Sequence, residues 1–105
     1  MKKDCITELI KIELLENTTE EQLLEKAKSI NQLIQIQDGF MDAELVKSID
    51  SNIWYFIYHI ENMEKLKTVG EKIRSRKLFD EIVPLIKPGS MNVSFFHQYA
   101  DWKKS

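Results

Sequence analysis

Cysteine, proline and glycine are scarce in this chain, and each scarcity removes an explanation. Of 105 residues, one is cysteine, two are proline and three are glycine. A lone Cys5 cannot build a disulfide frame, and with no Cys-x-x-Cys pair and two histidines far apart in sequence, zinc-type ligand spacing is missing. No apolar run approaches the ~18 residues of a membrane-spanning helix, and the Met-Lys-Lys-Asp start is followed by Glu8 and Lys11 instead of a clean apolar signal segment. A cytoplasmic location away from the membrane is the expectation. An excess of one charge is lacking too. The 15 basic and 17 acidic residues are intermixed to a net charge of -2, and no basic stripe extends beyond Arg74, Arg76 and Lys77, which argues against nucleic acid as a partner. Gly-rich phosphate loops, a Ser-His-Asp order and paired-carboxylate motifs are also absent.

What is present is the mix of an ordinary globular domain, 43% hydrophobic and 30% charged, enough for residues 1–105 to form one core. Cys5 to Leu15 reads as a first strand, with Ile6, Ile10, Ile12 and Leu14 on one side and Thr7, Leu9, Lys11 and Glu13 on the other. Thr18 and Thr19 supply an N-cap, and Glu21 or Gln22 completes a capping box. The helix that follows buries Leu23, Ala27, Ile30 and Ile34 and stops at Asp38-Gly39. Phe40 to Ile49 alternates again, Met41, Ala43, Leu45 and Ile49 against Asp42, Glu44 and Ser48, and a polar turn leads into a strand from Ile53 to Ile60. Asn62 caps a second helix with Leu66, Val69, Gly70 and Ile73 inward; a further helical stretch carries Leu78, Phe79, Ile82 and Val83, and Pro84 should end or kink it. After Pro88-Gly89 a last strand runs from Met91 to about Tyr99. The order βαββαβ predicts an α+β, ferredoxin-like sandwich: a four-stranded antiparallel sheet with two helices on one face.

The strand from Ile53 to Ile60 is large and mostly apolar on both faces, Trp54, Phe56, Tyr58 and Ile60 on one and Ile53, Tyr55, Ile57 and His59 on the other. Two helices roof one side of a sheet. Three aromatics of ~150–250 Å² each represent on the order of 10 kcal/mol of burial before ordering costs, and either choice of inward face leaves the other set needing cover. A homodimer packed sheet to sheet is the economical solution.

The passage Tyr55-Phe-Ile-Tyr-His-Ile-Glu-Asn-Met-Glu-Lys-Leu66 resembles the way members of the antibiotic biosynthesis monooxygenase family of dimeric α/β barrels leave their third strand, with Glu61-Asn62 opening the second helix. Arg74-Ser-Arg-Lys-Leu-Phe79 is similar to the family's break after that helix, and the likeness of pattern spans nearly the whole chain. The resemblance implies a dimer whose two sheets close into a barrel, with a ligand cavity between sheet and helices in each subunit. It also implies one of several activities, among them oxygenation of aromatic or quinol substrates without metal or flavin, and haem degradation. The haem-degrading branch uses an Asn on the first strand, a Trp at the end of the third and a His on the second helix. Here the first strand has no Asn, the Trp position is Ile60, and residues 62–86 contain no His. The cofactor-independent oxygenases favour an Asn and Trp flanking substrate; Asn52 and Trp54 are the nearest such pair, at the beginning of the strand.

The leading expectation is a monooxygenase that needs no cofactor and acts on a small aromatic or quinol-like molecule; the alternative is a non-catalytic dimeric barrel that binds a small hydrophobic or signalling ligand. His59 and His97 are the candidate bases, since imidazole exchanges protons near neutral pH, and Tyr58 is the candidate donor to a developing oxyanion. Trp54, Phe56 and Phe96 are candidate pocket walls. Each has a plainer explanation, a rim histidine or an aromatic packed in a strand.

Overall fold

The computed structural model describes residues 4–105. Its strands are β1 (Ile6–Glu13), β2 (Phe40–Lys47), β3 (Ile53–Ile60) and β4 (Asn92–His97), and its helices are α1 (Glu20–Ile34) and α2 (Met63–Ser75). They form one antiparallel sheet in the order β2-β3-β1-β4, the arrangement that right-handed crossovers predict for βαββαβ.

Local signals set the helix starts. The Thr19 hydroxyl accepts the Gln22 amide at 3.2 Å while Gln22 Oε1 accepts the Thr19 amide at 2.8 Å, which closes the capping box. Asn62 Oδ1 accepts the Lys65 amide at 2.9 Å at the head of α2. Both helices lay their apolar stripes, Leu23, Ala27, Ile30 and Ile34 from α1 and Leu66 and Val69 from α2, into one core with Ile6, Ile10, Ile12, Trp54, Phe56, Tyr58 and Ile60. The inward face of β3 is therefore the even-numbered one. Ile53, Tyr55, Ile57 and His59 occupy the opposite, helix-free face, where they are half-buried by their strand neighbours.

Three expectations change. In β2 the register slips between Phe40 and Asp42, so Met41 leaves the alternation; Ala43 and Leu45 pack on the core, whereas Met41 and Ile49 are exposed. The stretch after α2 is not a further α-helix but two 3-10 turns, Leu78–Glu81 and Val83–Leu85. Lys77 takes a left-handed backbone (φ 51°) and turns the chain, and Pro84 opens the second turn instead of ending the first. The last strand ends at His97, two residues short of Tyr99.

Those turns matter because they carry Phe79 back over the sheet. Its ring meets Phe56 edge-on, centroids 5.7 Å apart at 85°, while Phe56 stacks against Tyr58 at 6.3 Å. At the other end of α2, Gly39 links α1 to β2 with φ +91°, and its carbonyl accepts the Glu61 amide at 2.8 Å. A Cβ there would fall 2.4 Å from Lys65 Cβ. Gly39→Ala therefore combines left-handed strain with a steric clash and is expected to lower stability by about 3 kcal/mol. A urea titration that finds less than about 0.5 kcal/mol would show that α2 is not held this closely.

Candidate functional site

Alternation along β1 puts every even residue on the helix-covered face, and one of them, Glu8, is charged. The register sets it between Tyr58 of β3 and Phe95 of β4, so a single row, Tyr58, Glu8, Phe95, crosses the sheet. The next row is Phe56, Ile10, Val93. β4 is an edge strand, and α2 does not close down on it. The space left between them is a cleft of two lobes, about 430 Å³ and about 280 Å³, which share Glu8, Gly70, Arg74 and Phe95.

The larger lobe is walled by Ile10, Ile73, Phe79, Met91 and Val93, with Lys77 and Asp80 also on its lining, and the smaller by Met63, Leu66 and Lys67. The wall is mainly apolar. Glu8 is the carboxylate common to both lobes, and among the described residues it has no hydrogen-bond or ion-pair partner. Burial pushes its carboxyl pKa above the ordinary glutamate value. Tyr58 lies next to it, but its hydroxyl donates to Asn31 Oδ1 of α1 at 2.9 Å. Burial, and then the Glu8 charge, push the tyrosine well above its usual range, so it stays a phenol.

The residues singled out from sequence fall elsewhere. None of the six lines the cleft. Trp54 and Phe56 are buried in the core, and Trp54 Nε1 donates to Asn52 Oδ1 at 3.3 Å, which ties the Asn52 and Trp54 pair into the end of the hairpin. His97 pairs in register with Ile6, one row beyond Glu8, and is exposed. His59 and Phe96 project from the opposite face of the sheet. There His59 Nδ1 contacts Asp42 Oδ1 at 2.6 Å, beside a polar hollow of about 260 Å³ shared with Gln98, Asp101 and Trp102. Among the described residues no group of three or more His, Cys, Asp or Glu is arranged to hold a metal, and no helix is long and apolar enough to cross a membrane.

Glu8 escaped the sequence reading although its signal was there. It interrupts the inward stripe Ile6, Glu8, Ile10, Ile12, Leu14, and a carboxylate in an otherwise apolar parity needs either a partner or a task. Because the fold raises its pKa, the native state holds the proton to higher pH than the unfolded chain does. Wild type and Glu8→Gln should be closest in stability below about pH 4, where both side chains are neutral. From there upward, wild type should lose stability relative to the variant until the native carboxyl has ionised. Denaturant titrations of both proteins from pH 4 to 8 check this; a constant difference across that range would mean that Glu8 is well solvated.

No protein-family model matches the sequence, and neither does any curated protein. Solved structures do match in fold. The chain is similar to SnoaB, a cofactor-independent oxygenase from Streptomyces nogalater, with TM-score 0.79 and 11% identity over 96% of this chain and 99% of that one. It is similar to the monooxygenase from the gene ActVA-Orf6 of Streptomyces coelicolor, solved with nanaomycin D, with TM-score 0.79 and 15% identity over 98% and 95% of the two chains. A Nitrosomonas europaea protein given as a candidate antibiotic biosynthesis monooxygenase matches with TM-score 0.77 and 9% identity over 94% of each chain. At such identities the likeness is one of fold: this chain has the ferredoxin-like α+β architecture of the antibiotic biosynthesis monooxygenase structures.

Proposed function

We propose that this protein is a monooxygenase that needs no cofactor and acts on a small aromatic or quinol-like molecule held in the cleft beneath α2, with Glu8 as proton acceptor. The observation that carries the reading is a carboxylate, Glu8, set between the two lobes of a mainly apolar cleft, on a fold shared with oxygenases. A base works best when its pKa approaches the working pH, and desolvation moves Glu8 in that direction. His59 lies across the sheet from this cavity, which favours Glu8 over it.

The reaction suited to these groups starts at an acidic CH2 within a fused aromatic ring system, as in anthrone or the keto tautomer of a quinol. Glu8 takes the proton, and the electron pair is left on a carbanion delocalised into an adjoining carbonyl or phenol oxygen. The carbanion reduces molecular oxygen and forms the C–O bond, and the peroxide takes the proton back from Glu8. Loss of the second C–H hydrogen with cleavage of the O–O bond then releases water and leaves C=O. In sum CH2 and O2 become C=O and H2O, so the substrate supplies all four electrons. The apolar walls would exclude water from the carbanion.

Oxygen uptake with anthrone and with naphthoquinols is the measurement. One O2 should be consumed per product without free peroxide, Glu8→Gln should lower kcat about 100-fold or more, and His59→Gln should change little. An equal rate without oxygen would overturn the oxygenase reading. Saturable binding with no turnover would favour the non-catalytic alternative.

The proposal includes self-association through the helix-free face. Leu9, Tyr55, Ile57 and Phe96 stand together there, with Val46 alongside, an apolar set that a second sheet packed about 10 Å away would cover. At micromolar concentration the protein should sediment as a dimer, and Ile57→Asp should shift it to monomer with the circular dichroism spectrum unchanged. A wild-type monomer under those conditions would remove this part of the proposal.

A further inference from the structure

We infer that the cleft is built for an aromatic acid, a ring system whose carboxylate sits on Arg74 while its reactive edge faces Glu8; this rests on the reading of the cleft as the substrate site. Arg74 lies in the last turn of α2 together with Lys72, where any cation suits the helix dipole. Only Arg74 of the two lines the cleft, and it lines both lobes. Gly70, one turn earlier on the same flank, adjoins it: Nη1 of the guanidinium lies 3.5 Å from where a Cβ on Gly70 would be, an ordinary contact distance. The guanidinium thus lies back along the helix, against the cavity wall.

Its charge is not answered from within the fold. Among the described residues Arg74 has neither an ion pair nor a side-chain hydrogen bond. Lys67 lines the smaller lobe and Lys77 the larger, so three cations flank the cleft. The carboxylates that line it are Glu8 on the sheet and Asp80 at the larger lobe. Three cations against these two carboxylates leave the lining with an excess of positive charge. A planar guanidinium beside an apolar slot matches a carboxylate borne by a flat ring, through two parallel hydrogen bonds. With Arg74 on the helix and Glu8 on the strand opposite, the acid and the reacting position would be held at different edges of the ring.

Titration of wild type with 1-hydroxy-2-naphthoate and with 1-naphthol, which shares the ring and hydroxyl but lacks the carboxylate, tests this directly. The acid should bind at least tenfold more tightly. Arg74→Gln should remove that advantage while leaving 1-naphthol within twofold and the melting temperature unchanged, and Arg74→Lys should recover part of it. A lost tertiary structure would weaken both ligands together, so the selective loss separates recognition from folding. Equal binding of acid and naphthol by wild type would overturn the anion site and leave the cleft reading in place. Binding of neither would overturn both.

Discussion

A strand has a period of two, and β1, at the centre of the sheet between β3 and β4, has no freedom in how it meets its neighbours. Slipping it by one residue would turn Ile6, Ile10 and Ile12 away from both helices and expose all of them. The core therefore holds β1 in place, and Glu8 is carried with it onto the inward face. A single carboxylate is tolerated there because it falls where the roof is incomplete. Tyr58 in the same row lies under α1, with its hydroxyl taken by Asn31. Glu8 lies one strand further toward the edge, and Phe95 beyond it is half exposed.

The position of α2 decides how much room remains. Its start is pinned by the Asn62 cap, by the close approach of Gly39 to Lys65, and by the contact of Lys65 with Asp38. The Asp38 and Lys65 contact is a surface pair and contributes little by itself. The steric approach at Gly39 is the stronger constraint, since no side chain can be inserted without moving the helix. At the other end, the left-handed Lys77 reverses the chain so that Phe79 lands on Phe56. The same turn delivers Lys77 and Asp80 to the cleft wall. The aromatic contact that stabilises the fold and the polar edge of the candidate site are thus products of one backbone reversal.

Fold alone does not choose a reaction; the chemistry of the cleft narrows the choice. An apolar slot with a desolvated carboxylate on its floor and a guanidinium on its wall can take a proton and hold an anion. The helix-free face offers different groups. His59 and Asp42 form a polar couple at one end of it, while Leu9, Ile57 and Phe96 provide apolar surface. The proposed proton chemistry under α2 and the proposed association on the reverse side would be kept apart by the sheet.

Element order, strand order, the Thr19 and Asn62 caps and the inward stripe of α1 were legible in the sequence, because each follows from local periodicity or from a side chain that binds its own backbone. The requirement that one face of β3 be left without a helix was legible too, from aromatics on both parities. Which face that would be was not, since Trp54, Phe56 and Tyr58 differ little in bulk from Ile53, Tyr55 and Ile57; the packing of α1 and α2 decided it. The bulge at Met41 and the 3-10 turns around Pro84 were equally hidden, as both depend on partners distant in sequence. Histidines drew attention because their chemistry is visible in one letter, whereas the cleft gathers Glu8, Arg74 and Phe95 from the three elements β1, α2 and β4. The periodicity of the chain by itself determined the elements and their order; only tertiary packing decided where the roof ends, because a cavity is the space that distant segments fail to fill.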